Sequence, residues 1–462
     1  MRPLPLLCLL AFAGLVRSEP IAIGSRLEPL VDGHLIASLS GDVRLDLKQP
    51  EPREVVLVTD KPWEGNTCAY YTIFQDGDRY RMYYRGSHFN TKTRKSAHSE
   101  VTCYAESRDG IHWSKPELGL CEFNGSKANN IVWDGLGTHN FTVFKDTNPD
   151  CPPDARYKAL ARGRSLRKGD KKYGHGLYAF KSADGLRWEM MRDEPVITKG
   201  AFDSQNLAFY DARRGCYVDY HRWFSKGFRD IMTCTSRDFL SWTEPVGLPI
   251  EEDRKEHLYT NAIQPYERAP HVYLGFPTRY LPKEGQRVEP VLMTSRDGVH
   301  FRRWSEPVVP ESAPRDRGGN RSNYMAWGLL QLPGNEDELS VYATEAYYTG
   351  PDSRVRRFTY RVDGFVSLKG GDKGGVMTTK PIVFAGGRLV LNHVVAGDGE
   401  LAVDLLDEAS GKVLLRAAGL RGDKVRNVVD WSGSGRLAAF AGRPVRLRLR
   451  LRDAEVFSLK FE

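Results

Sequence analysis

The sequence predicts an all-β protein, and three observations predict it. Tyr, Trp and Gly number 21, 9 and 44 among 462 residues, a supply suited to short strands and tight turns. Helical periodicity is absent over any long stretch. One phrase, Ser-x-Asp-Gly-x-x-Trp, recurs: Ser107, Asp109, Gly110 and Trp113; Ser182, Asp184, Gly185 and Trp188; Ser236, Asp238 and Trp242, with Phe239 replacing the Gly; Ser295, Asp297, Gly298 and Phe301. A weaker echo stands at Asp363, Gly364 and Phe365. Successive Asp positions lie 54 to 75 residues apart, the length of one sheet of about four strands with its loops. Five such sheets in series read as a five-bladed β-propeller over residues 26–368, followed by a β-sandwich over residues 371–462.

Each phrase has a local reading. The Ser and Asp side chains bond nearby backbone N–H groups, Gly accepts positive φ, and a tight turn closes. The aromatic that follows is placed to wedge between neighbouring blades. The repeated Asp is therefore expected to build rather than to react.

In chain order, Met1-Arg2-Pro3, the apolar run Leu4 to Val16 and Arg17-Ser18-Glu19-Pro20 read as a secretory signal peptide over residues 1–18. The expectation is an exported protein, periplasmic or extracellular, with no membrane span. Residues from Arg26 to Asp60 read as an entry segment whose strand completes the last blade. Blade one runs through Cys68 to Phe74, the turn Asp76-Gly77-Asp78, Tyr80-Met82-Tyr84 and Val101 to Glu106. Blade two opens near His139 and returns through Tyr157 to Ala161 and Leu177 to Phe180. Blade three opens at Phe202-Asp203 and returns as Tyr217 to Trp223. Blade four opens at Glu256-His257, and blade five at Asn320 to Tyr324. Gly370-Gly371 and Gly374-Gly375 read as a flexible joint, after which Val445, Leu447, Leu449 and Leu451 alternate with Arg446, Arg448, Arg450 and Arg452. That Arg ladder reads as a solvated outer face.

Net charge is +8 with an isoelectric point near 9.0, which permits an anionic polysaccharide partner. No long Lys/Arg block, zinc-finger spacing or RNA-binding signature supports nucleic acid. Apart from Cys8, six cysteines allow disulfides, and Cys216 and Cys234 are candidates to face each other across a hairpin near Lys226. No metal-ligand spacing is present, so no cofactor is expected, and a structural calcium has no signature.

Polar residues at the mouths of a propeller's inner strands converge on its central funnel. Those positions hold Glu64, His139, Asn140, Asp203, Asn206, Glu256, His257, Arg321 and Asn323. Glu345 lies in an apolar strand, where a carboxylate requires a partner such as Arg279 or Arg321, or an opening onto the funnel beside Tyr347 and Tyr348. Carboxylates on separate blades, with aromatics and amides nearby, suit hydrolysis of a glycosidic bond. Asp203 and Glu64 are the candidate nucleophile or base and transition-state stabiliser, and Glu256 or Glu345 the acid. The rival readings are a non-catalytic carbohydrate-binding propeller and a protein-interaction scaffold.

The repeated turns, the exported start and the trailing β-domain resemble the five-bladed glycosidases of glycoside hydrolase families 32, 43 and 68. Gly137-Thr138-His139-Asn140-Phe141-Thr142, Phe202-Asp203-Ser204-Gln205-Asn206, Glu256-His257-Leu258-Tyr259-Thr260-Asn261 and Ala343-Thr344-Glu345-Ala346-Tyr347-Tyr348 resemble exported family-32-like proteins of planctomycete-type bacteria. The resemblance implies a glycosidase acting on a polysaccharide or oligosaccharide. The strings Asn-Asp-Pro-Asn-Gly, Arg-Asp-Pro and Glu-Cys of the invertase-type family are absent, so a fructan substrate is not implied.

Overall fold

The computed structural model describes residues 19–163, 174–253, 255–309, 324–432 and 436–462. The signal-peptide reading, Arg321 and Asn323 lie outside the described residues. Every regular element among them is a strand, apart from two single 3-10 turns at Pro153–Ala155 and Leu437–Phe440. None of the described helices is long and apolar enough to cross a membrane. The chain divides into two compact units, Asp46–Ser367 and a second formed by Leu368–Glu462 with the N-terminal residues up to Leu45.

In the first unit the strands form consecutive antiparallel sheets in a propeller-like arrangement. The first holds Ala69–Asp76, Arg79–Gly86, Val101–Ser107 and Trp113–Ser114. The second holds Thr142–Lys145, Tyr157–Gly163, Gly176–Ser182 and Glu189–Met190, and the third Leu207–Asp211, Cys216–Ser225, Phe228–Ser236 and Val246–Gly247. The fourth contains Gln264–Tyr266, Ala269–Gly275, Arg287–Ser295 and Phe301–Pro307. A fifth sheet joins Glu338–Glu345 and Arg354–Arg361 to Glu51–Val58 from the other end of the chain.

The repeated phrase closes the same turn each time. Ser107 Oγ accepts from the Gly110 N–H at 2.9 Å, and one Asp109 oxygen accepts from the N–H groups of Ile111 and His112 at 2.9 and 2.8 Å. The turns at Asp184, Asp238 and Asp297 repeat this pattern. The turn carbonyls then receive tyrosine hydroxyls from the preceding sheet: Tyr83 donates to Gly185, Tyr220 to Gly298 and Tyr342, in the fifth sheet, to Gly110. The phrase aromatics pack edge-on against those same tyrosines, with Trp113, Trp188 and Phe301 each 6.3 Å from Tyr342, Tyr83 and Tyr220. Where Phe239 replaces Gly, it takes positive φ and packs 5.6 Å from Phe144 of the second sheet. Tyr266 of the fourth sheet donates to Asp363, at the end of the fifth.

Gly185 combines a φ of +78° with a position where a Cβ would lie 2.6 Å from the Tyr83 hydroxyl, whereas Gly215, at +63°, faces open space. Gly185→Ala is therefore expected to lower unfolding free energy by about 2–3 kcal/mol, against about 1 for Gly215→Ala, in chemical denaturation.

The second unit corrects the expected boundaries. Ile21–Gly24, Leu27–Pro29 and Ile36–Leu47 belong to its nine-stranded sheet, so the strand that the entry segment adds to the fifth sheet is confined to Glu51–Val58. The reason is apolar area: Ile23, Leu30, Leu35 and Val43 share one core with Leu401, Val403, Leu447 and Leu449. The expected Gly joint is a strand, Val366–Thr379. Its glycines admit close neighbours, since a Cβ at Gly371 would lie 1.9 Å from the Asp42 carboxylate and one at Gly370 2.5 Å from Leu451. The Arg ladder is not simply a solvated face, because Arg448 and Arg450, with Arg416, converge on the buried Asp404. Burial pushes the Asp404 carboxyl up, but its bonds to the three guanidiniums prevail and hold it at about 2.

All six described cysteines are free. The hairpin near Lys226 forms, but its register sets Cys234 opposite Asp219, while Cys216 lies opposite Asp211.

Candidate functional site

Loops of the first three sheets meet at one mouth. His139, before Thr142–Lys145, has Nε2 2.7 Å from Oδ1 of Asp203, before Leu207–Asp211. Its Nδ1 lies 2.9 Å from Glu100, which immediately precedes Val101–Ser107. With a carboxylate at each ring nitrogen, the imidazole donates on both sides when it carries two protons. Glu100, His139 and Asp203 thus form a line of hydrogen bonds from the first sheet through the second to the third.

Arg85 braces the inner end of that line. Its Nη2 donates to the Thr67 carbonyl at 2.7 Å and to the Tyr347 hydroxyl at 2.9 Å, and its Nη1 lies 3.5 Å from Glu100. Burial raises the Glu100 carboxyl, but the His139 bond and the Arg85 charge outweigh it, and the net shift is downward. Asp203 is the open end, with its side chain 49% exposed. The His139 bond, the charge of the ring, and Arg222 and Arg162 hold its carboxyl well below the usual range against partial burial.

Aromatic rings surround the line. Tyr70 lies 5.7 Å from His139, and Tyr259, Tyr324 and Tyr347 follow one another at 5.7 and 5.5 Å. Tyr348 stands at the rim, 47% exposed. Tyr70 and Tyr348 both take positive φ, an energetically costly state for a bulky residue.

The other expected site residues have different surroundings. Glu64 is buried and accepts from Lys115 at 2.6 Å, Tyr84 at 2.5 Å and the Lys61 N–H at 3.0 Å. Glu256 is buried beside Arg303 at 2.8 Å and Arg279 at 3.5 Å, and Arg279 also binds Glu289 at 3.0 Å. Glu345 is buried with Arg354 at 3.0 Å and Arg356 at 2.6 Å, while Arg279, one of its expected partners, is paired with Glu256 and Glu289 instead. Asn140 and Asn206 are fully buried, and each gives its amide to the Phe202 and Ser204 carbonyls. These amides hold backbone rather than face the mouth. His257 accepts the Arg229 N–H at 3.1 Å and packs on Phe228; burial and then Arg229 lower its pKa. Of the four expected carboxylates, Asp203 alone is both exposed and joined to another expected residue, His139.

Glu100, Arg85, Arg162, Arg222, Arg229, Tyr70 and Tyr259 were not among the expected site residues. Glu100 had a readable signal, a charge directly before an apolar strand. Arg85 and Arg222 each follow an aromatic or imidazole in a buried strand, which reads equally as a strand end.

Among the described residues one group, Asp219, His221 and Cys234, has ligand atoms within 4.8 Å of one another. His221 Nδ1 already bonds Asp219, and its Nε2 donates to the Lys199 carbonyl at 2.9 Å, which accounts for the ring without an ion. Burial pushes the Cys68 thiol up to about 12 and Cys121 to about 11, and the remaining described thiols are also raised, so none is poised as a nucleophile. A cavity of about 270 Å³ lies at the first turn, lined by Arg79, Glu106, Arg108, Asp109 and His112, and no mouth residue lines it.

No family model matches the chain. Over 145 residues it is 28% identical to an uncharacterized protein of Mycobacterium tuberculosis strain CDC 1551 / Oshkosh, and equally to one of strain ATCC 25618 / H37Rv, covering 31% of this chain and 41% of each relative. The chain thus matches less than half the length of those curated relatives. Among solved structures it is similar to an N-acetylgalactosamine deacetylase from F. plautii, at 13% identity over 70% of this chain and 96% of that one, with a TM-score of 0.49. It is similar to a thermostable family-43 glycoside hydrolase, at 15% identity over 67% and 96%, with a TM-score of 0.45. It is also similar to a Bombyx mori GH32 beta-fructofuranosidase, at 9% identity over 92% and 95%, with a TM-score of 0.45. Families 43 and 32 are two of those named by the sequence resemblance. At these TM-scores the likenesses carry no argument about what the chain does.

Proposed function

We propose that this chain is a glycoside hydrolase built on a five-bladed β-propeller, with the second unit as a β-sandwich, and that Asp203 acts on the glycosidic bond. The five-fold count is supported by the contacts that link each sheet to the next, including Tyr342 of the fifth with Gly110 of the first. The observation that carries the activity is the Glu100–His139–Asp203 line, which ends in a half-exposed carboxylate amid tyrosines.

The mechanism differs from two carboxylates facing each other across a bond. Ionised Asp203 accepts a proton from water as the water oxygen bonds to the anomeric carbon, and His139 Nε2–H gives its proton to the departing glycosidic oxygen. The proton on Asp203 then returns to His139 along their 2.7 Å hydrogen bond, which restores both groups. Glu100 positions the ring and offsets its charge. The tyrosine faces stack on sugar rings. With residues 1–18 read as an export signal, the substrate is an extracytoplasmic glycan.

The test is reducing-sugar release from a panel of neutral, uronic and sulfated polysaccharides by wild type and by Asp203→Asn. Release that is lost in the variant upholds the reading. Binding without release from any substrate would instead identify a non-catalytic carbohydrate-binding propeller.

A further inference from the structure

Arg222 and Arg229 occupy adjacent strands of the third sheet, Cys216–Ser225 and Phe228–Ser236, on the side where Asp203 lies. Both guanidiniums sit over the Tyr259 ring, at 5.1 and 5.2 Å, and both lie against Phe224, at 5.5 and 5.7 Å. Arg229 also stands 4.8 Å from the Tyr280 ring. Arg222 uses its Nε on the Ala201 carbonyl at 3.0 Å. Arg229 Nε is buried and has no hydrogen-bond partner among the described residues.

Among the described residues the carboxylate whose charge acts on this pair is Asp203, through Arg222, and Asp203 is shared with other cations. Asp203, two residues beyond Ala201, is bonded to His139 and lies 3.6 Å from Arg162. Asp230, next to Arg229, is bonded to Lys255 at 2.8 Å. Among the described residues around the mouth, four guanidiniums, those of Arg85, Arg162, Arg222 and Arg229, meet two carboxylates, Glu100 and Asp203. Two like charges held on the same rings repel each other, and among the described residues a donor is left without an acceptor, an arrangement that an anion would complete. The flanking rings, half-buried Tyr259 and exposed Phe224, offer faces for a pyranose beside that anion.

We propose that the mouth takes an acidic glycan, and that Arg222 and Arg229 bind its carboxylate or sulfate group while Asp203 meets the neighbouring linkage. This rests on the glycosidase reading for the second half of the statement alone; anion recognition stands or falls by itself. Arginine suits the task because its fork of donors matches either planar carboxylate or sulfate.

The experiment is calorimetric binding to hexamers of galacturonic acid, of sulfated galactose and of unmodified galactose. It uses the inactive Asp203→Asn protein and the same protein carrying Arg222→Gln and Arg229→Gln, with melting temperatures recorded for each. The expected result is affinity at least tenfold higher for one acidic hexamer than for the neutral one, falling at least tenfold in the arginine variant and weakening with added salt. Arg229→Lys, which keeps the charge, separates charge from fork geometry and guards against a variant that misfolds. Equal affinity for acidic and neutral hexamers, or acidic affinity unchanged in the double variant, overturns the proposal. If wild type cleaves only neutral glycans, the anion proposal fails and the glycosidase stands. If acidic hexamers bind through the arginines and are never cleaved, the glycosidase reading fails and anion recognition survives.

Discussion

Asparagine at position 203 is expected to slow glycan cleavage by about a hundredfold to ten-thousandfold, the range of general acid–base effects, and to leave folding nearly unchanged. The side chain is half exposed, so its loss removes little buried structure. His139→Phe should match most of that loss, because it removes the proton that reaches the leaving oxygen and the bond that holds Asp203 ionised. The pH profile gives a second check. The His139 bond and nearby guanidiniums lower the Asp203 pKa, so its ionised form persists below the value of about 3.9 for a free aspartate. kcat/KM should therefore show no acid limb near pH 4. The linkage has the same sign: whatever stability Asp203 contributes is present above its unfolded pKa and is lost as pH falls through the lower folded one. An acid limb between pH 4 and 6 would point to a different group.

Glu345→Gln is expected to be the most destabilising of the carboxylate substitutions in the first unit, by about 3–5 kcal/mol. Glu345 is buried between Arg354 and Arg356, both hydrogen-bonded to it across two strands of the fifth sheet. Neutralising it leaves two poorly solvated guanidiniums side by side. Thermal unfolding checks the size of the effect. A Glu345→Gln protein with wild-type melting and no turnover would restore Glu345 to the acid role that its sequence position suggested.

Much of the fold was legible because it is encoded locally. Ser107, Asp109 and Gly110 bond within six residues, so their spacing states the turn wherever it recurs. The strands of the first sheet follow for the same reason, each bounded by its own turn. The N-terminal boundary was not legible, because whether Ile23 and Leu35 pack with the propeller strands or with Leu447 depends on partners over four hundred residues away. Nor did the pairs Gly370-Gly371 and Gly374-Gly375 distinguish a hinge from a strand that admits close neighbours, since small size serves both.

The site divides along the same line. Sequence by itself placed Asp203 and His139 at strand mouths, and both stand in the line that ends at the opening. It also brought forward Glu64 and Glu256, which occupy equivalent places in the pattern, and Glu345 within an apolar strand. Only the tertiary structure separated them, because a carboxylate's availability is set by the cations that fold against it: Lys115 on Glu64, Arg303 on Glu256, Arg354 and Arg356 on Glu345. Those partners lie 9 to 51 residues from the acids they neutralise, and no local pattern ties them together. Turn chemistry acts over a few residues and can be read along the chain; charge compensation acts through space, and folding decides it.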